Sequence, residues 1–165
     1  MLKPAIASVI IGILCAIGMA RPAQALEYLK DEAGQHFGYS PAVLTKGGTI
    51  VWMGGQFALK DDQGNSIAED VEAQTRQIFK LMDETLRKLG GTLQKNLVLM
   101  TVTMNDPRYG DTFFKVRKEV FPDGNYPASQ ALTISNFAIP GMKIEIQGMA
   151  VLNDDCSTER PCLKK

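Results

Sequence analysis

The sequence contains little histidine, tryptophan or cysteine. Its 165 residues include one histidine, one tryptophan and three cysteines. A transition-metal site usually needs several histidine, cysteine or carboxylate ligands close together. His36, the single histidine, is far in sequence from the C-terminal cysteines. We therefore expect no metal site.

The chain also lacks a charge excess. Lysine plus arginine and aspartate plus glutamate number 18 each, so the formal net charge is zero. A protein that tracks a phosphate backbone usually carries a basic excess, and we expect no nucleic-acid partner. With 45% hydrophobic and 22% charged residues, the chain has an ordinary globular composition. Its length predicts one domain with tails.

The only long apolar run lies at the N-terminus. Lys3 precedes an apolar stretch over residues 4–20, and Ala23-Gln24-Ala25 follows it. This order is typical of a secretory signal peptide over residues 1–25, cleaved after Ala25. The alternative is a membrane anchor, but the run is shorter than the roughly 20 residues that span a bilayer. The sequence thus predicts a secreted, periplasmic protein with no stable membrane anchor after cleavage.

Two cysteines would remain in the mature chain. Cys156 and Cys162 lie in a C-terminal tail over residues 153–165, whereas Cys15 would leave with the signal peptide. An even pair in an exported protein predicts a disulfide between them. A metal site would need more ligands, and a catalytic dithiol usually has the C-x-x-C spacing, which is absent.

Hydrophobic periodicity predicts an α+β two-layer fold in the order β-β-α-β-α-β-β. After a polar lead over residues 26–37, strands are predicted at residues 38–45, 49–59, 96–104, 129–137 and 143–152, with the last two forming a hairpin through Pro140-Gly141. The paired Gly54 and Gly55 inside a strand indicate a bulge or a close approach by another group. The half-polar sheet face not covered by helices is expected to pack against copies of the same chain.

Capping residues and apolar stripes locate the helices. Ser66 and Glu69 fit a capping box for the first helix, and Gly90-Gly91 would end it. Asp106 and Pro107 are typical of the start of the second helix. Its apolar stripe is expected at Tyr109, Phe113, Val116 and Val120, and its solvated side at Lys115, Arg117, Lys118 and Glu119.

Several short segments follow one another in a recognisable order: Gly38-Tyr39-Ser40, Gly54-Gly55-Gln56, Asp70 with Gln74, Tyr126-Pro127-Ala128, and Ile144-Glu145-Ile146. Together they resemble the RidA/YjgF family of reactive-intermediate (enamine/imine) deaminases. The resemblance covers residues 38–152. It implies a chorismate-mutase-like fold: a homotrimer whose sheets form a barrel with the helices outside and clefts between subunits. It also implies hydrolysis of C=N to C=O with release of ammonia, without a metal or organic cofactor.

The resemblance assigns the candidate site residues. Glu145 matches the glutamate that orients the attacking water. Ser129 stands where family deaminases have an arginine that binds the substrate carboxylate, so this chain resembles an exported member lacking the usual active-site arginine. The implied substrate-binding residues are Ser129, Gln130, Gly54, Gly55 and Tyr39. Arg117 could reach the cleft from its helix, but its predicted place is the outer surface.

These features leave two main hypotheses. The first is a protein that binds small imino, enamino or carbonyl metabolites in interface clefts and acts as a deaminase with an altered substrate. The second is a non-catalytic binding module for a small molecule or a protein, favoured by the serine at position 129. Ribonuclease activity is a weaker third hypothesis, because the chain lacks a basic excess.

Overall fold

The computed structural model describes residues 25–152. The predicted signal peptide and both cysteines of the predicted disulfide, Cys156 and Cys162, lie outside this range. The strands are β1 (Ala25–Tyr28), β2 (Val43–Lys46), β3 (Thr49–Gln56), β4 (Leu97–Met104), β5 (Ala128–Thr133) and β6 (Ile144–Leu152). The helices are α1 (Glu32–Phe37), α2 (Val71–Lys88), α3 (Leu93–Asn96) and α4 (Gly110–Val120), the last preceded by a 3-10 turn at Pro107–Tyr109.

Four strands form a mixed sheet in the order β3-β6-β4-β5, in which β4 and β5 are parallel and the other neighbours antiparallel. Apolar side chains of α2 and α4 form a core with one face of this sheet. The α+β two-layer prediction is confirmed. A smaller antiparallel sheet pairs β1 with β2.

The predicted hairpin between the last two strands is wrong. β6 lies between β3 and β4, so β4 separates it from β5. Gly141, at φ 88°, does make the expected turn. The chain nevertheless passes to the other side of β4, where β6 becomes a central strand. That position buries Ile144, Ile146 and Ala150 completely, which an outer position could not do.

The N-terminal lead has more structure than its polar composition indicates. Residues 26–37 include most of β1 and all of α1, whose N-cap Asp31 accepts a hydrogen bond from the Gly34 amide. The strand predicted at residues 38–45 is shorter and pairs with β1. Ser40, which precedes it, forms an isolated parallel bridge with Ala128 of β5.

The start of α2 also differs from the prediction. Its N-cap is Asp70, whose side chain accepts a hydrogen bond from the Ala73 amide at 3.0 Å. Glu69 cannot occupy the third helical position of a capping box, because its φ of 69° is left-handed and lies outside the helix. By contrast, Asp106 caps the 3-10 turn before α4, as predicted.

Within residues 25–152, no helix combines the length and apolar character needed to cross a bilayer.

A buried amide connects α2 to the turn before β6. Gln74 has no exposed surface. Its Nε2 donates to the carbonyl oxygens of Ile67 at 3.0 Å and Gly141 at 2.7 Å, and its Oε1 accepts from the Lys143 amide at 2.9 Å. Gln74 therefore satisfies three backbone groups of two loops and fixes where β6 begins.

We predict that Gln74→Leu lowers the free energy of unfolding by about 2–4 kcal/mol, because buried backbone groups lose their partners. Urea denaturation measures the change. Gln77→Leu is the matched control: it lies on the same helix, bonds only to the exposed Asp62, and should change stability by less than about 0.5 kcal/mol. Equal losses in the two variants would contradict this role for Gln74.

Candidate active site

A bulge in β3 brings the strand against Glu145. The β3–β6 register shifts between Met53 and Gln56, so Gly54 and Gly55 form the irregularity that paired glycines predicted. A Cβ atom on Gly55 would overlap Glu145 Oε1 and lie 2.8 Å from its Cδ. The glutamate side chain thus occupies the space that a side chain at position 55 would need.

Glu145 projects from the sheet face opposite the helices. Its neighbours Ile144 and Ile146 are buried in the core, and alternation along β6 turns Glu145 to the other face. The side chain is half-buried, and within residues 25–152 no hydrogen bond or ion pair holds its carboxylate. The carboxylate oxygens of Glu145 are therefore available to accept hydrogen bonds from a ligand.

Gln130 shares this open face. It pairs in register with Thr101 of β4, which pairs in turn with Gln147 on β6, two residues beyond Glu145. Gln130 is exposed. Because β4 lies between the two strands and neighbouring strands are about 4.8 Å apart, Gln130 and Glu145 are well beyond direct contact in one chain.

Ser129 projects to the other face, towards α4, where it meets an arginine. Arg117 Nη1 donates to Ser129 Oγ at 2.8 Å, and Nη2 donates to the Phe37 carbonyl oxygen at 2.7 Å. The prediction that Arg117 lies on the solvated side of its helix is wrong: the residue is 2% exposed. Position 117 follows Phe113 by four residues and Val116 by one, so it falls within the buried stripe of α4.

The buried guanidinium has no carboxylate partner in the described part of the chain. Instead it lies over two aromatic rings, with Cζ 4.6 Å from the Phe113 centroid and 5.2 Å from that of Phe114. Desolvation by burial lowers the pKa of Arg117 to about 10, and a weaker interaction with Tyr126 acts in the opposite direction. Arg117 is still protonated at neutral pH.

Tyr39 belongs to the segment that lies along the start of β5. The amide of the next residue, Ser40, donates to the Pro127 carbonyl oxygen at 3.2 Å. Tyr39 itself is half-buried, and its amide donates to the Gly34 carbonyl oxygen. The tyrosine is therefore held near Ser129, on the β5 side of the molecule.

The candidate residues form two separate groups in one chain. Gly55 and Glu145 make the first group, on the open sheet face. Ser129, Arg117 and the segment containing Tyr39 make the second, at the start of the outer strand β5. The four-stranded sheet therefore separates Glu145 from Ser129 within one chain.

One surface cleft lies apart from both groups of candidate residues. A surface cleft of about 590 Å³ lies between β1, the α2–α3 corner and the segment after α4, and its lining includes Tyr28, Asn96 and Phe121 but none of the predicted site residues. Across residues 25–152, no three histidine, cysteine, aspartate or glutamate side chains come together as metal ligands.

Sequence comparison identifies the family. The family model for Endoribonuclease L-PSP, which covers RidA and YjgF proteins, matches residues 31–152. This chain belongs to the RidA/YjgF family. It is 34% identical over 116 residues to the mitochondrial protein mmf2 of Schizosaccharomyces pombe, a match covering 68% of this chain and 86% of that protein. It is 31% identical over 115 residues to the chloroplastic Reactive Intermediate Deaminase A of Arabidopsis thaliana, covering 69% of this chain and 58% of that protein.

Solved structures of other RidA/YjgF proteins share the fold. The Rid-family protein YyfB of Yersinia pestis, described as of unknown function, has a TM-score of 0.67 at 22% identity, covering 77% of this chain and 98% of that one. A YjgF-family protein of Mycobacterium tuberculosis has a TM-score of 0.54, also at 22% identity, covering 78% and 100%. These likenesses support the architecture alone.

We predict that Gly55→Ala displaces the Glu145 carboxylate and lowers the free energy of unfolding by about 1–3 kcal/mol, as overpacking does. Gly54→Ala is the matched control, because a Cβ atom there would have no neighbour within 4 Å. Thermal and urea denaturation measure the difference. Adding Glu145→Ala to Gly55→Ala should recover most of the loss. Equal effects of the two glycine variants would contradict the close approach.

Proposed function

We propose that this protein binds small imino, enamino or carbonyl metabolites and hydrolyses imines to carbonyl compounds and ammonia. The observation that carries the proposal is Glu145, an unpaired carboxylate held against Gly55 on the open sheet face. Family membership and the 31% identity to a protein named as a reactive intermediate deaminase support it.

The proposed chemistry uses the glutamate to activate water. The imine reacts as its N-protonated iminium form. Glu145 accepts one proton from water as the water oxygen bonds to the imine carbon, which gives a neutral carbinolamine. Glu145 then returns this proton to the nitrogen, the C–N bond breaks, ammonia leaves, and the hydroxyl proton passes to solvent to leave the C=O product. An enamine first takes a proton on carbon to become the imine. General-base help of this kind typically contributes about 10²–10⁴-fold to the rate.

A non-catalytic binding module is the alternative. Its support is Ser129, a neutral side chain at the position where the family's deaminases carry an arginine. In that case the same residues would hold a ligand, and Glu145 would serve as a hydrogen-bond acceptor only. Turnover measurements separate the two functions.

We predict that the purified full chain releases ammonia from freshly generated 2-iminobutanoate or from neutral imines above the buffer rate. Glu145→Gln should lower kcat by about 100-fold or more, since an amide cannot take the proton from water. The control is Glu119→Gln, an exposed glutamate on α4 that pairs with Arg76. Ligand binding without any turnover would exclude the catalytic function and favour the binding module.

We also propose that the active form is a homotrimer with clefts between subunits. The open sheet face exposes large apolar side chains, including 79% of Trp52 and 52% of Ile50 on β3, together with 43% of Leu132 on β5. Large exposed apolar side chains on one sheet face are typical of an interface. Assembly through it would also give Glu145 of one subunit access to a neighbour.

We predict that Trp52→Lys shifts the protein from trimer towards monomer in analytical ultracentrifugation, because a charge would be buried in the interface. Leu29→Lys is the control. Leu29 is 53% exposed but lies between β1 and α1, outside the four-stranded sheet, so the trimer should persist. A wild-type monomer, or a Trp52→Lys trimer of unchanged stability, would contradict the proposed interface.

Export through a cleaved signal peptide remains part of the proposal. Its support is the order of Lys3, the apolar run and the Ala-Gln-Ala sequence. A periplasmic location would expose the site to metabolites outside the cytoplasm.

A further inference from the structure

The surface cleft of about 590 Å³ lies next to the end of β6. Asn96, which lines the cleft, donates through its Nδ2 to the Val151 carbonyl oxygen at 2.8 Å. Gly91, also in the lining, packs so closely on Leu152 that a Cβ atom on the glycine would overlap the leucine Cδ2. The chain therefore passes from Leu152 to residues 153–165 beside the wall of this cleft.

The lining of the cleft combines apolar and charged side chains. Leu26 and Tyr28 project into it from β1, and both are partly buried. Lys95 contributes a positive charge from α3, and Asp123 contributes a negative charge from the segment after α4. Both charged residues are exposed, and within residues 25–152 neither side chain forms an ion pair. The cleft thus offers one place for a carboxylate and one for a cation, beside an apolar surface.

The first charges after β6 match the nearer side of the cleft. Asp154-Asp155 follows Leu152 by two and three residues. Lys95 directly precedes Asn96, whose side chain is bonded to the end of β6. Two carboxylates therefore come first in the segment at the point where the cleft presents its lysine. Opposite charges at this separation attract, although solvent screens exposed pairs.

The later part of the segment matches the rest of the lining. Arg160 lies eight residues beyond Leu152, and eight residues span up to about 26 Å, which is enough to reach Asp123 across the cleft. Leu163, three residues further along, is a large apolar side chain in an otherwise mostly polar segment. The order acidic, basic, apolar thus supplies one partner for each part of the lining.

Attachment at Leu152 favours this segment over a separate partner. A short flexible tether keeps a segment at an effective concentration of about 1 mM near its binding surface. Two exposed ion pairs and one leucine would bind a free peptide weakly. The same contacts made within one chain are populated because the cost of bringing two molecules together is absent.

We propose that residues 153–163 dock in the cleft of their own chain. The acidic pair lies at the lysine, the arginine at the aspartate, and the leucine on the apolar side chains of β1. Within residues 25–152, β1 pairs with β2 alone. The docked segment therefore ties the small N-terminal sheet to α3 and to the end of β6. This inference is independent of imine hydrolysis, because the cleft contains none of the candidate site residues.

The test locates the segment by NMR in the full chain. We expect nuclear Overhauser contacts between the Leu163 methyl groups and the Tyr28 ring, and backbone order parameters above about 0.6 for residues 154–163, since flexible segments fall below that value. Mixing chains with different isotope labels separates contacts within a chain from contacts between copies. A flexible segment without these contacts, or contacts found only between differently labelled chains, would overturn the inference.

Charge reversals test the first ion pair. Lys95→Glu should lower the ratio of docked to free segment about twofold to fivefold, the range for one exposed pair, and shift the segment's amide resonances towards their free positions. Adding Asp154→Lys and Asp155→Lys should recover most of that loss. Lys88→Glu is the matched control, because Lys88 is exposed on α2 and lies outside the cleft lining. Equal shifts in the two single variants would contradict the pairing.

A change within the segment tests the apolar contact without altering the cleft. Leu163→Asp should lower the docked ratio about tenfold or more, because the leucine no longer covers apolar surface. Hydrogen exchange of the β1 amides should accelerate in parallel. Ser157→Asp adds the same charge at a polar position and should change the ratio less than about twofold. An unchanged ratio and unchanged β1 exchange in Leu163→Asp would show that the segment does not dock through its leucine and would overturn the inference.

Discussion

The second group of site residues depends on one buried guanidinium. Arg117 projects from α4, donates to the last carbonyl of α1 through Phe37, and donates to β5 through Ser129. Gly38 packs on it directly, because a Cβ atom there would lie 3.5 Å from Arg117 Nε. One side chain therefore fixes a helix, a strand and the N-terminal segment that carries Tyr39. A cation in that role keeps its charge, since even a lowered pKa of about 10 leaves it protonated.

The sheet divides the chemistry between its two faces. The bulge in β3 and the alternation of β6 hold Glu145 on the open face, whereas Ser129 faces the helices. In one chain, Glu145 and Ser129 therefore project from opposite faces of the sheet. Large apolar side chains are exposed on the sheet face that carries Glu145, and Trp52 is the most exposed of them. The proposed interface through this face would bring Glu145 close to a neighbouring subunit.

Local features could be predicted from the sequence, whereas contacts between residues far apart in the chain could not. Glu145 between two isoleucines and Gly55 in a paired glycine bulge are local patterns, and the structure places them as their spacing indicates. The turn at Pro140 could also be predicted. The position of β6 in the sheet could not, because it depends on which strands bury its apolar side chains. The predicted outer position of Arg117 is wrong because the buried stripe of α4 is wider than the apolar residues that define it in the sequence. Arg117 lies four residues after Phe113, within the buried stripe. Its hydrogen bonds to Phe37, 80 residues away, and to Ser129 help to explain why a cation can be there.

The three hydrogen bonds of Gln74 connect the start of α2 to the start of β6. The amide of Lys143 donates a hydrogen bond to Gln74, and Glu145 lies two residues further along the chain. Any shift of α2 along its axis is therefore transmitted to the carboxylate without passing through the hydrophobic core. Substitutions on the first turns of that helix are remote from both groups of site residues, yet they would change the position of Glu145. In this protein, the position of Glu145 is thus set in part by a helix that packs on the opposite face of the sheet.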